Sequence, residues 1–396
     1  MDTTRADPPA RLLDLTRLVS RAGRPFTGVD RVEYAYLSRL LAEDVPLFGL
    51  VRSTLGFILL DAAGCADFRR RLDAQDWAPP DRLSRLRRGT DPTRARAEAG
   101  LRRVALARTL KAQLPEGIAY INTGHTNLTD RTVAALKGIP GARISVLLHD
   151  TIPLDFPEYA AEGVPERFRA FLELAGAEAS LLICNSHVTE ADVQRLLAPQ
   201  GLHPETVVAP LGLDRPQPGR APRGPWTGKP FFVVLGTIEP RKNHALLLDI
   251  WERERPEAHL LICGTRGWNN ADVFARLDRG IPGVHERPGC SDAEVFALLA
   301  DSAGLLFPSH AEGYGLPPLE AAALGVPVVA SDLPVVHETL GDIPVYAAVT
   351  DRYRWIETIK RLTEEHRAAP DTRDDRAGGF APPTWDSHFK TVLTLT

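Results

Sequence analysis

Apolar residues in this chain cluster in short runs, each followed by a loop and then by a helical period. In the first half the strand candidates fall at 12–18, 46–51, 56–60, 118–122, 143–148, 181–184 and 206–209, several of them continuous apolar runs. Runs without alternation are expected of parallel strands covered on both faces. Between them, 29–42 (VDRVEYAYLSRLLA) and 165–178 carry the 3.6-residue period of amphipathic helices. The order restarts later: strand 231–235 (FFVVL), helix 243–254, strand 258–263, helix 271–279, a short strand 284–286, helix 292–301, strand 304–307, helix 317–324 and strand 326–330. Alternation of this kind predicts an α/β protein with two doubly wound, Rossmann-like sheets, the second of about five strands.

Residues 214–230 (DRPQPGRAPRGPWTGKP) hold five prolines and three glycines, which marks a linker. The expected organisation is an N-terminal domain 1–213 with a basic helical insert at 78–111, the linker 214–230, a C-terminal domain 231–369, and a terminal segment 370–396. That last segment ends in a helix over 385–395. A length of 396 residues suits two domains.

A net charge of −4 argues against a nucleic-acid partner. Only six of the 47 basic residues are lysine, so a lysine in a glycine-flanked loop stands out. The four cysteines lie at 65, 184, 263 and 290 without metal-ligand or disulfide spacing; Cys184 and Cys263 end apolar runs and read as small buried hydrophobes. No apolar run approaches the roughly 18 residues of a membrane span, and the opening MDTTRADPPA lacks the apolar region expected of a secretory leader. The expected location is therefore the cytoplasm or its membrane face.

Chemistry concentrates in two loops. Glu312-Gly-Tyr-Gly-Leu-Pro-Pro-Leu-Glu320 joins a strand to a helix with prolines in its first turn. The backbone amides of Gly313, Tyr314 and Gly315 then stand at a helix N-terminus, where anions bind. Glu320 lies one turn inside the helix, where it can accept from vicinal hydroxyls; complementing the helix dipole is the alternative reading. The second loop, Gly236-Thr237-Ile-Glu-Pro-Arg241-Lys242-Asn243, follows the first strand of the C-terminal half. Open α/β sheets bind ligands at such strand ends. A guanidinium beside an ammonium offers a fork and a point charge to a diphosphate. Adjacent cations at a helix start oppose the helix dipole, so the placement calls for an anion.

These two elements resemble the family 4 retaining glycosyltransferases of GT-B architecture, the group of glycogen-synthase-like and bacterial mannosyltransferase enzymes. Their C-terminal domains carry a G-x4-R-K-N loop and an E-x7-E element, and the resemblance is strongest over 231–345. It implies two Rossmann-like domains facing a central cleft, with the terminal helix crossing back to the N-terminal domain. By that likeness the substrate is a nucleotide sugar, and the acceptor is a saccharide or a lipid-linked saccharide of bacterial surface polysaccharide or glycolipid synthesis. Arg241 and Lys242 would bind the donor diphosphate, Glu320 the ribose, and Glu312 with the amides after it the sugar. Gly264, in Gly264-Thr-Arg-Gly, and Pro288, in Arg287-Pro288-Gly289, resemble the base-binding edge. No motif chooses between a guanosine and a uridine donor, and no further cofactor is implied. Transfer with retention, mannose as the sugar, and independence from metal complete the expectation. Alanine at Arg241 or Lys242 is expected to cut turnover severely, on the order of a hundredfold, while leaving the fold intact.

In the N-terminal half, Leu148-His149-Asp150 ends a strand. The family places a similar histidine beside the transferred sugar, so His149 joins Glu312, Arg241 and Lys242 as a catalytic candidate; an Asx turn beside a satisfied histidine explains the pair equally well from the residues alone. Gly28, Asp30 and Arg31 open a helix in a loop that matches the family's first glycine loop with one glycine where many members have two. These three, with Gly124, His125, Asp150 and Ser186, are acceptor-side candidates. An epimerase, a phosphorylase or a non-catalytic nucleotide-sugar binder on the same architecture are the competing functions. Between 81 and 111, ten basic residues meet three acids and alternate with leucines. That pattern points to a peripheral contact with anionic lipid, and equally to a helix pair packing its leucines on the N-terminal domain.

Overall fold

The computed structural model describes residues 7–53, 56–77, 92–101, 104–105, 107–369 and 380–396. They divide into two compact units. Unit 1 holds the residues up to His149, then Glu166–Leu211 and Trp385–Thr396; unit 2 holds Asp150–Pro165 and Gly212–Thr384.

Unit 1 is built on an eight-stranded sheet in the order β4-β3-β2-β1-β5-β6-β7-β8. These are β1 Arg11–Asp14, β2 Leu47–Ser53, β3 Gly56–Leu60, β4 Val104–Ala105, β5 Ala119–Asn122, β6 Arg143–Leu148, β7 Leu181–Cys184 and β8 Thr206–Val208. From β2 to β8 across β1 every pairing is parallel, while β3 and β4 extend the edge antiparallel. Strand order reverses between β1 and β5, so the loops after these two strands flank a topological switch point.

Unit 2 is a six-stranded, all-parallel sheet in the order β11-β10-β9-β12-β13-β14. Its strands are β9 Phe231–Leu235, β10 His259–Cys263, β11 Val284–Glu286, β12 Gly304–Phe307, β13 Val328–Ala330 and β14 Val345–Tyr346. Phe232, Leu260, Leu306 and Val329 point into one core with Leu247, Trp251, Trp355 and Ile359 from the covering helices His244–Glu254 and Arg352–Ala368. The indole of Trp251 donates to the Ala258 carbonyl at 3.0 Å, so its polar edge is satisfied inside that core. Here the switch point lies between β9 and β12, the two strands that precede the Arg241 and Glu312 loops.

Four sequence expectations change. The apolar run 12–18 is a strand to Asp14 and then a short helix, Thr16–Ser20. The Asp14 carboxylate accepts from the Thr16 amide at 3.0 Å and turns the chain there. The second sheet has six strands rather than five, because the two-residue β14 is too short to show a period. Residues 214–230 are a strap on unit 2 rather than a free linker: Trp226 is buried, Arg287 lies over its ring at 5.4 Å, and the Gly219 amide bonds the Ala293 carbonyl. Of the basic insert, 78–91, 102, 103 and 106 lie outside the described residues. The rest is a helix Pro92–Gly100, the strand β4 and a helix Ala107–Gln113, with Leu101 and Leu110 buried.

The terminal helix Trp385–Leu395 packs in unit 1, where Tyr36, Trp385, His388 and Phe389 make an aromatic cluster. His388 Nδ1 faces the carbonyls of Ala209 and Pro210 at 3.1 Å and its Nε2 faces the Tyr36 hydroxyl at 2.7 Å. Nδ1 must therefore carry the proton and Nε2 accept.

Candidate functional site

In unit 2, β9 ends on Gly236 at φ +132°, a conformation that side chains rarely adopt. A Cβ there would lie 3.2 Å from Lys242 Cε, so the bare glycine clears the path of the lysine. Thr237 follows, half-buried, before the single turn Pro240–Lys242 presents the two cations. Asn243, at φ +51°, ends that turn and starts helix His244–Glu254.

The anion that these cations call for is supplied by the chain. Glu312 bridges both, with Oε1 2.6 Å from Lys242 Nζ and Oε2 2.9 Å from an Arg241 nitrogen. Arg241 also donates to Glu239 Oε1 at 2.6 Å and to the Ala311 carbonyl at 2.7 Å. Lys242 Nζ lies 4.8 Å from the centre of the Phe307 ring. Two cations thus meet two carboxylates, and all four side chains are largely buried. Burial alone would raise the Glu312 carboxyl, but the Arg241 guanidinium and the Lys242 ammonium outweigh it and hold the group at about 2. Burial pulls Lys242 down against the attraction of Glu312.

Hydrogen-bond capacity remains at this centre. A guanidinium has five N–H donors and an ammonium three. Three Arg241 contacts and one Lys242 contact are made within the protein. Among the described residues this leaves two donors on each side chain without a partner. Glu239 was missed in the sequence reading, although it stands inside the same loop motif.

Across the switch point, helix Leu316–Ala323 begins after Gly315 at φ +92°, with Pro317 and Pro318 in its first turn. Gly313 and Tyr314 form the turn before it, with Tyr314 buried, and Glu320 is buried within the helix. Gly264, at the end of β10, packs against backbone: a Cβ there would sit 1.9 Å from the Gly236 carbonyl oxygen. No side chain can relieve that overlap. Gly264→Ala should therefore lower stability by about 2 kcal/mol or more, read as a fall in the denaturation midpoint. An unchanged midpoint would show that the loop yields freely. Pro288 is exposed beyond β11. Asp150, packed with unit 2, is raised by burial and lowered by Arg241, and accepts from the Ile152 amide at 3.0 Å.

In unit 1 the structure redistributes the candidates. His149 ends β6 with every direction fixed: its Nε2 lies 2.7 Å from the Thr123 carbonyl, its amide 3.2 Å from His125 Nε2, and its carbonyl accepts from Asn185 Nδ2 at 2.9 Å. Nε2 must donate to a carbonyl, so Nδ1 is the ring acceptor. Burial holds His149 at about 4, which keeps it neutral at pH 7. It can accept from a hydroxyl but carries no charge. His125 is in the left-handed region at φ +53° and packs on Phe168 and Phe171.

Two acceptor-side candidates are engaged within the protein. Asp30 is fully buried: Arg17 and Arg21 contact it at 2.7 and 3.2 Å, and the Thr27 amide and hydroxyl donate to it at 2.7 and 2.8 Å. It closes a capping box on helix Gly28–Leu40, for which Thr27-x-x-Asp30 is itself a sequence signal. Ser186 caps helix His187–Leu197 by accepting from the Thr189 amide at 3.0 Å, and it is buried. Gly28 remains exposed in the first helical turn, and Arg31 is half-buried beyond it. Gly124 packs on Glu33, whose Oε2 a Cβ would approach to 2.3 Å. Glu33 is a further residue the sequence did not reveal. It is fully buried, accepts from the Leu18 amide at 3.0 Å, and burial raises its carboxyl well above the usual range.

The two largely parallel sheets form two Rossmann-like units, the arrangement of the GT-B fold. Residues 220–371 match the family described as Glycosyl transferases group 1. Among similar proteins, the serotype-specific mannosyltransferase WbdA of Escherichia coli is 32% identical over 222 residues, covering 50% of this chain and 27% of WbdA. The O-antigen chain mannosyltransferase B of Escherichia coli is 33% identical over 132 residues, 32% of this chain and 34% of that protein. The chain thus spans about a quarter to a third of the curated relatives it matches first. Among solved structures, Anabaena Alr3699/HepE in complex with UDP-glucose superposes with a TM-score of 0.62 at 16% identity, over 97% of this chain and 100% of that one.

Proposed function

We propose that the protein is a glycosyltransferase that moves a sugar from a nucleotide-sugar donor to a saccharide or lipid-linked acceptor in surface polysaccharide synthesis, with mannose as the sugar. The observation that carries this reading is the convergence, at one switch point, of Arg241, Lys242 and Glu312 from two distant loops. The group 1 match and the mannosyltransferase relatives support it.

In this reading the spare donors of Arg241 and Lys242 take the donor diphosphate and stabilise the charge that grows on it as the sugar leaves. Turn residues Gly313 to Gly315, at a helix start, add backbone amides toward the same anion. Glu320 receives the ribose hydroxyls and Glu312 the sugar. His149 accepts a hydroxyl of the transferred sugar at Nδ1. Transfer proceeds with retention, the leaving phosphate taking the acceptor proton on the same face. The reaction belongs to the cytoplasm, and the basic stretch 81–111 meets anionic lipid there. Co-sedimentation with phosphatidylglycerol vesicles at low salt tests that contact.

The test of the activity is release of nucleoside diphosphate from GDP-mannose, UDP-glucose and related donors by purified protein. Hydrolysis or transfer with at least one donor is the expected result; none with any donor and any saccharide would sink the reading. Turnover should survive EDTA, since the two cations take the part a metal plays elsewhere. Loss of activity in EDTA, restored by magnesium or manganese, would contradict this. The product linkage, assigned by NMR, should keep the donor's anomeric configuration.

A further inference from the structure

Residues 150–165 follow β6 in the chain yet pack as part of unit 2. Their rings form a stack. Phe156 lies on Tyr159 with centroids 6.0 Å apart and planes within 19°, and Tyr159 lies on His310 at 5.2 Å and 16°. The inner end of this stack touches the charged centre, because the His310 amide donates to the Arg241 carbonyl at 2.8 Å. The outer end is open: Phe156 is 37% exposed.

Trp268 belongs to the same patch. It is 41% exposed, yet its indole N–H donates to the Tyr159 carbonyl at 3.0 Å. Asn269, at φ +49°, donates to the Ala160 carbonyl at 3.2 Å. The loop is anchored from behind too, by a hydrogen bond from the Gly267 amide to the Ile238 carbonyl. Two large rings are thus held at the surface, Trp268 by its indole hydrogen bond and Phe156 by stacking on Tyr159, which gives a contact surface at low entropic cost.

The charge around these rings selects the occupant. The segment 150–165 contains Asp150, Asp155, Glu158 and Glu162 and no basic residue. Glu158 acts electrostatically on both Tyr159 and His310. Arg266, nearby in sequence, is engaged by Glu286 and Asp278. Acid-flanked rings repel a phosphate or an anionic lipid, but suit a neutral pyranose, whose C–H face stacks on an aromatic plane while its hydroxyls donate to carboxylates.

We propose that Phe156 and Trp268 form a stacking platform for a neutral pyranose of the acceptor, outward of the Arg241–Lys242–Glu312 centre. This rests on the glycosyltransferase reading, and the test separates the two. Mannotriose, maltotriose and galactobiose are titrated into the full chain by saturation-transfer NMR, and UDP and GDP are titrated in parallel samples. Wild type binds at least one oligosaccharide. Phe156→Ala and Trp268→Ala each weaken that binding about tenfold, while Trp268→Phe, which keeps a ring, stays within about threefold of wild type. Nucleotide affinity of Phe156→Ala stays within about twofold, which also shows that the variant is folded.

Undiminished oligosaccharide binding in the alanine variants, or none in wild type, overturns the platform. A loss of nucleotide affinity in step with the rings would assign them to the nucleobase and overturn it equally. Absence of nucleotide binding in wild type would strike instead at the glycosyltransferase reading, and leave the oligosaccharide result to decide the platform alone.

Discussion

Lys242→Ala should lower turnover about a hundredfold, the loss of about 3 kcal/mol expected when a fixed donor to a developing anion is removed. The sequence alone led one to expect an intact fold, but the structure predicts that stability falls as well. Lys242 and Glu312 are a buried pair at 2.6 Å, and removing one partner strands the other. Such a loss destabilises by roughly 3–5 kcal/mol. A double replacement separates the two effects. Lys242→Met with Glu312→Gln removes both charges and should recover most of the stability, because neutral groups of similar volume replace a pair that is costly to desolvate. Turnover should stay low. Denaturant midpoints and nucleoside diphosphate release, measured on both variants, check this. Recovery of turnover together with stability would make the pair purely structural.

Acid should destabilise the protein well before its carboxylates titrate in bulk. His149, His244 and His388 are each held at about 4 by burial, against an ordinary 6.5. A folded pKa below the unfolded one means that the unfolded chain binds the proton more readily. The stability is whole above about pH 6.5 and is lost as pH falls toward 4. Each shift corresponds to about 3 kcal/mol at the low end of that window. Glu33 and Asp14, raised by burial, act in the opposite sense and favour the folded state at lower pH. A single substitution isolates the histidine contribution. His388→Gln should flatten the fall in unfolding free energy between pH 6.5 and 4 by about 3 kcal/mol relative to wild type. Parallel slopes for the two proteins would rule out a neutral His388 as a source of acid lability.

The second sheet was more legible in the sequence than the first, for a physical reason. FFVVL and GLLF are apolar runs short enough to be strands and closed by glycine or proline, so period and boundary agree. The run LLDLTRLV carries no such punctuation. Its change from strand to helix is made by one carboxylate accepting from an amide two residues on, which hydrophobicity does not record. At the site, residue types at strand ends were readable but their partners were not. The sequence shows that Arg241 and Lys242 call for an anion; only the fold brings Glu312 to them across seventy residues. Asp30 and Ser186 turn out to cap helices, a role the sequence could not separate from binding because both have the same polar chemistry next to a helix start. The Phe156 to His310 stack was invisible because its rings come from loops more than 140 residues apart.

The division of the chain into units has a consequence for its synthesis. Residues 385–396 complete unit 1, where Tyr36 meets His388 and Arg143 donates to the Thr396 carbonyl at 2.9 Å. A ribosome delivers the strands of that unit first, but the aromatic helix that seals it arrives only after all of unit 2 has been made. Until residues 385–396 emerge, Tyr36 waits without His388 and Phe389 against it, so the nascent chain presents an aromatic seam to chaperones and proteases.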